Sequence, residues 1–266
     1  MFCIVIFAVP GTIQIKEKEI IMHKEKVLSQ LREMRLSAMA DSFEQRLQSG
    51  DHRDLSAEEF FSLCVEDEFI ARQNRRFKRM VNAANFKPEQ ACIQNLNYNP
   101  SRGLEKKEVM RLTNSVWVEN AENIIITGPT GTGKTYLAEA IGLQACKMDY
   151  KTKKIRYRTL FEEIKAAKGT GMYLKYLKKI SRIKVLIIDD FLMQAVEKSD
   201  GAYLIEVIEE KQQLGSVIVT TQYPVDQWHN QFPDQTIADA ICDRLVHQAI
   251  IFNLKGGSMR KKIRSK

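Results

Sequence analysis

The sequence predicts an α/β protein, a parallel sheet covered by helices on both faces and preceded by a small all-helical region. Short, near-continuous apolar runs recur after Trp117, separated by stretches of helical periodicity. One of these runs leads into a glycine-rich phosphate loop that opens a helix. Between His23 and about Thr113 the apolar residues instead recur at helical spacing.

The elements follow in order. Met1–Pro10 (MFCIVIFAVP) is apolar but lacks the basic start and small-residue cleavage site of a secretory leader. Residues 1–21 are read as an upstream extension or disordered arm, with Met22 as the biological start. Residues 22–113 are read as a helical N-terminal domain. Val27, Leu28, Leu31, Leu36 and Met39 make one stripe. Ser56 with Glu59 forms a capping box, opening a helix with Phe60, Phe61, Val65 and Phe69 along it. That helix runs into Arg72–Arg79, five basic residues without an acid, and Asn97–Gly103 (NYNPSRG) is loop chemistry. Residues 114–254 form the sheet-bearing core. Its strands are expected at Asn123–Thr127, Ile155–Arg158, Ile183–Ile188, Ser216–Thr220 and Ala249–Asn253. Thr159 with Glu162 is expected to cap another helix. Residues 255–266 make a tail with six basic residues and no acid.

Composition narrows the function classes. With 44% apolar and 28% charged residues, the 266-residue chain is not a disordered, collagen-like or disulfide-scaffold sequence. No run approaches the ~18 apolar residues of a spanning helix. Five scattered cysteines without a CxxC pair argue against zinc and point to reduced thiols in a cytoplasm. Lys and Arg total 41 against 33 Asp and Glu, a net charge of +8 that favours a polyanionic partner.

The strongest motif is Gly128-Pro129-Thr130-Gly131-Thr132-Gly133-Lys134-Thr135, between a strand and a helix carrying Leu137, Ile141 and Ala145 on one face. Its glycines let backbone N–H groups turn around a β-phosphate, and the helix N-terminus adds partial positive charge. Lys134 would reach the β- and γ-phosphates, and the Thr135 hydroxyl would hold Mg²⁺. ATP and Mg²⁺ are the expected cofactors. Asp189 lies 55 residues after Lys134 in Val185-Leu-Ile-Ile-Asp-Asp190. A buried strand presents carboxylates where it emerges at its C-terminal end, the edge at which such sheets bind ligands. Asp189 would support Mg²⁺, and Asp190 would orient or deprotonate the attacking water, or merely cap the next segment. Thr221 or Gln222, ending the strand SVIVTT, could bond the γ-phosphate or the water, or simply cap a turn. By itself Arg244, on the amphipathic stretch Ile237–Leu245, reads as a solvated charge or an ion pair with Asp239 or Asp243.

The series GPTGTGKTYLAEA, VLIIDDF, VIVTTQYPVDQWH, DAICDRLVH and LKGGSMRKK resembles the IstB family of transposition helper ATPases, of the AAA+ class and close to the DnaC helicase loaders. The N-terminal LSQLREMRLSAMADSFEQRL and EFFSLCVEDEFIARQNRRFKR are similar to that family's helical domain, so the likeness spans about Met22 to Lys262. It implies a three-layer P-loop AAA+ core preceded by the small helical domain, with the Thr220 strand between the two Walker strands. It also implies Gln222 as the residue beside the γ-phosphate, with Thr221 second, and Arg244 of the DRL motif as an arginine finger reaching a neighbouring subunit's ATP. The family assembles as an ATP-dependent oligomer on duplex DNA and assists a partner transposase in target selection. A DnaC-like helicase loader is the alternative; a P-loop kinase and a DNA clamp that scarcely hydrolyses are further ones.

The chain departs from the family at four positions. Tyr136 follows the GKT where His is usual, Asp190 replaces a frequent Glu, Leu192 stands at a common Gly, and Lys211 stands at a common Arg, keeping charge but losing the planar fork. Candidate DNA patches are Arg72–Arg79, Lys147–Arg158, Lys175–Lys184 and the tail. No base-reading motif is present, so backbone contacts and a steep salt dependence are expected.

Overall fold

The structure is a computed structural model that describes residues 23–50, 53–87, 91–194 and 197–259. The expectations for residues 1–21, and for most of the basic tail, lie outside the described residues. The chain divides into two compact units, one reaching Arg76 and the other starting at Phe77.

In the first unit, helix α1 covers residues 23–33, α2 spans Ser37–Ser49 and α3 spans Ala57–Ala83, beyond the division. The single stripe expected from Val27 to Met39 is broken between α1 and α2, where Arg35 adopts φ 61°. Leu28, Leu31 and Ala40 form the small core with Leu36, Met39 and Phe43 against it, while Val27 is exposed. The Ser56–Glu59 capping box forms reciprocally. The Ser56 N–H donates to Glu59 Oε2 at 2.8 Å, and the Glu59 N–H donates to Ser56 Oγ at 3.2 Å. Along α3, however, Phe61, Val65 and Phe69 are exposed. In the part of α3 within this unit the inward residues are Cys64 and Glu68, and Glu68 accepts from the N–H groups of Ala38 and Met39 at the start of α2.

The second unit carries two short helices, α4 (Lys106–Arg111) and α5 (Val116–Glu119), ahead of a five-stranded, all-parallel sheet. Strands β1 (Asn123–Thr127), β2 (Thr152–Arg156), β3 (Val185–Phe191), β4 (Ser216–Thr221) and β5 (Ala249–Asn253) take the order β2-β3-β4-β1-β5. As the family resemblance implied, β4 lies between β1 and β3. Side-chain alternation makes three layers. Ile125, Leu186, Ile188, Val217 and Val219 face one cluster with helices α7 (Tyr157–Gly169), α8 (Tyr173–Ser181), α9 (Lys198–Glu209) and α10 (Gln235–Val246). Ile124, Ile126, Val185, Ile187, Ile218 and Phe252 face the other, under helix α6 (Lys134–Lys147).

Several expected boundaries move. The helical domain was expected to end at residue 113, but Ala91, Ile93, Leu104, Val109 and Leu112 are buried in the same cluster as Ile124 and Ile126. The described residues of 77–113 therefore pack with the sheet-bearing unit. Strand β2 starts three residues earlier than expected and ends before Tyr157. An edge strand tolerates charge if the charge is matched, and Lys154 forms a buried ion pair with Glu139 of α6. Tyr157 opens α7 and packs edge-on against Phe161 (4.8 Å) and Phe191 (5.1 Å). Thr159 consequently lies inside α7, which has Arg156 as its N-cap and no side-chain cap.

Candidate active site

The phosphate loop leaves the C-terminal end of β1, and two glycines there have no substitute. Gly128 has φ +139°, and a Cβ on it would stand 2.3 Å from the Leu254 carbonyl; Gly131 has φ +85°, and its Cβ would meet Ser258 Oγ at 2.5 Å. The described part of the tail thus returns along the loop instead of projecting from it. The Leu254 N–H donates to the Thr127 carbonyl at 2.9 Å and the Met259 N–H to the Gly131 carbonyl at 2.8 Å. Lys134 is buried, its Nζ donating to the carbonyls of Gly128 (2.8 Å) and Pro129 (3.0 Å). Thr132 Oγ1 donates to the Pro129 carbonyl at 2.9 Å. Thr130 is exposed, and the Tyr136 hydroxyl accepts the Cys92 N–H at 3.4 Å.

Thr135, Asp189 and Thr220 meet on one carboxylate oxygen. Thr135 Oγ1 donates to Asp189 Oδ1 at 2.9 Å, and Thr220 Oγ1 donates to the same atom at 2.6 Å. The Asp190 N–H in turn donates to Thr220 Oγ1 at 3.1 Å. A bulge between Ile188 and Phe191 shifts the β3–β4 register, with Asp190 at φ 58°. The bulge sets the two neighbouring carboxylates in different surroundings, Asp189 buried and Asp190 exposed. A hydroxyl bonded to a carboxylate offers the hard oxygen donors that Mg²⁺ takes, so Thr135 and Asp189 fit that ion. Thr220 was missed in the sequence, where it reads as one more β-branched residue of an apolar strand.

The remaining site residues are dispersed. Thr221 is buried, and its hydroxyl accepts the Tyr223 N–H at 3.2 Å, a turn-capping bond; half-buried Gln222 follows at the strand end. Leu192 also adopts a left-handed conformation, φ 62°, which explains why glycine is comfortable there. This leucine is buried beside Phe191 and Trp228, which offsets a backbone cost of about 1–2 kcal/mol. Lys211 is fully buried behind Gly215, its Nζ bonded to the Ile183 carbonyl. Burial, with Lys184 nearby, lowers its pKa to about 8. It ties together the starts of β3 and β4 and is not presented to a neighbouring molecule.

Arg244 belongs at the far end of β1. Asn123, the first residue of β1, donates through Nδ2 to the Arg244 carbonyl at 2.9 Å, whereas the phosphate loop follows the last. Its guanidinium pairs with Glu209 (2.8 Å) and donates to the Ala240 carbonyl (3.0 Å), not with the Asp239 or Asp243 considered from sequence. It borders a polar cavity of about 320 Å³ with Asn123, Lys211 and His247.

A family model for IstB-like ATP-binding proteins matches residues 29–266. The chain belongs to that family. Among its relatives, the putative insertion sequence ATP-binding protein y4pL of Sinorhizobium fredii is 33% identical over 239 residues, covering 90% of this chain and 97% of the relative. In fold, this IstB-like chain is similar to AMPPCP-bound DnaA from Aquifex aeolicus (TM-score 0.55, 16% identity, 68% of this chain and 55% of that one). It is likewise similar to the DnaC helicase loader (TM-score 0.52, 18% identity, 63% and 98%). The core is accordingly an AAA+ P-loop fold.

Proposed function

We propose that this IstB-like chain is a Mg²⁺-dependent ATPase whose active site is completed by a second copy, and that it assembles on duplex DNA to assist an insertion-sequence transposase in choosing its target. The observation carrying this reading is the separation of Arg244 from its own phosphate loop by the length of β1. An arginine finger so placed can serve only a neighbour's nucleotide.

In the proposed reaction, water attacks the γ-phosphorus, the bond to the β–γ bridging oxygen breaks, and ADP leaves. Lys134 and the loop N–H groups hold the phosphates. Asp190 orients the water and accepts its proton, and Gln222, with Thr221 second, steadies the γ-phosphate. Mg²⁺, held by Thr135 with Asp189 behind it, supplies charge neutralisation when bound. Arg244 of the adjoining copy leaves Glu209 and stabilises the charge developing on the γ-phosphoryl group, an effect worth about 10³–10⁵ in rate.

For DNA, the structure alters the weight of the candidate patches. Arg72 and Arg75 are bonded to Glu68, and Lys154 to Glu139. A groove of about 540 Å³ beside α8 is lined by Lys151, Lys175, Lys178, Lys179 and Arg182 with no acid among its lining residues. This groove is the favoured phosphate-backbone contact.

Mixing two inactive variants tests the shared site. Lys134→Ala should lose ATP binding, and Arg244→Ala should keep binding but lose turnover. Mixed, they place an intact Lys134 loop beside an intact Arg244, and hydrolysis should return to a substantial fraction of wild type. An inactive mixture whose subunits demonstrably co-assemble would refute the shared site.

A further inference from the structure

We infer that Arg102 is a positioning residue for the phosphate loop, fixing the one peptide unit whose N–H it turns toward the phosphates. This rests on the reading of the loop as a nucleotide cradle and adds a residue outside the Walker motifs and the finger. Arg102 lies in the NYNPSRG segment, which the sequence marks only as a loop. In the structure its Nη2 donates to the carbonyl of Thr132 at 2.6 Å. That carbonyl and the Gly133 N–H belong to the same peptide unit, and a trans peptide points the two in opposite directions. Holding the Thr132 oxygen on the outside of the loop therefore aims the Gly133 N–H inward, where such loops receive phosphate. The bond is charge-assisted, which also polarises the peptide and strengthens that N–H as a donor.

The arginine is itself held. Nη1 donates to the Asn97 carbonyl at 2.9 Å. The Arg102 carbonyl accepts the Lys255 N–H at 2.8 Å. Asn99 Oδ1 caps the short turn by accepting the Ser101 N–H at 3.0 Å. Its Nη2 lies 3.3 Å from where a Cβ on Gly133 would stand, so the guanidinium sits directly against the loop. A glycine at φ +96° has more than one accessible peptide orientation, and Arg102 selects one of them.

The test uses the full chain with fluorescent (mant) ADP, comparing wild type, Arg102→Ala and Arg102→Lys. Arg102→Ala should weaken mant-ADP binding about tenfold, the effect of losing one charged hydrogen bond. KM for ATP should rise by a similar factor with kcat retained, while the thermal midpoint of the nucleotide-free protein stays near wild type. Arg102→Lys keeps charge and reach but not the two-carbonyl fork, and should fall between; it carries the test if the alanine variant does not fold. Unchanged mant-ADP affinity would overturn the inference, as would an affinity loss matched by an equal drop in nucleotide-free stability. Wild type that binds no mant-ADP would instead overturn the nucleotide reading beneath it.

Discussion

Thr220 links the two carboxylates of β3. It donates to Asp189 and accepts from the Asp190 backbone, while Thr135 approaches Asp189 from the phosphate loop. Thr220→Val removes a hydroxyl of nearly the same size and leaves the Asp190 N–H without that acceptor. The expected cost is about 1–3 kcal/mol of stability, read by urea unfolding, with a turnover loss larger than any change in nucleotide affinity. Turnover equal to wild type would mean that Asp190 needs no such support. Thr220 escaped the sequence reading because threonine favours strands on its own account. The glycines, Lys134 and Thr135 are legible as a loop because their spacing encodes a local backbone shape, and Asp189 because it ends a run of four apolar strand residues. Glu209 was not legible, since its contact with Arg244 spans 35 residues between separate helices.

Among elements, the contact between α2 and α3 is sensitive to protonation. The buried Glu68 carboxylate accepts from the first N–H groups of α2 and from Arg72 (2.8 Å) and Arg75 (2.9 Å). Burial pushes its pKa up, but the bonds from Arg72, Met39, Ala38 and Arg75 outweigh that and hold it below the usual glutamate value. The unfolded chain therefore binds this proton more readily, and the stability Glu68 supplies is present above about pH 4.5 and lost as pH falls through the folded value. Glu68→Gln should cost about 1–3 kcal/mol at neutral pH and flatten the acid side of the stability curve. Parallel curves for variant and wild type would refute this. The same contact explains why Phe61, Val65 and Phe69, which lie along α3 as expected, stay exposed: the inward face of α3 is organised around a carboxylate. Strands β1 and β5 are legible to the residue because each has an unbroken apolar centre bounded by polar residues, whereas β2 is not, because its Lys154 is neutralised by a glutamate from another element.

For the whole molecule, the excess of positive charge is partly consumed internally, and the α8 groove gathers five basic side chains without an acid among its lining residues. Lys175→Ala, Lys178→Ala and Lys179→Ala combined should weaken duplex binding and lower the slope of log affinity against log salt by about 0.9 for each phosphate that is no longer neutralised. An unchanged slope would contradict the proposed contact with the phosphate backbone. Among the described residues no helix is long and apolar enough to cross a membrane. The proposed dependence of one copy's nucleotide on another copy's Arg244 is tested most directly by wild-type ATP turnover per subunit, measured across protein concentration with and without duplex DNA. Turnover per subunit should rise steeply with concentration, and duplex should shift that rise to lower concentration. A flat profile, equal with and without duplex, would contradict a site shared between subunits.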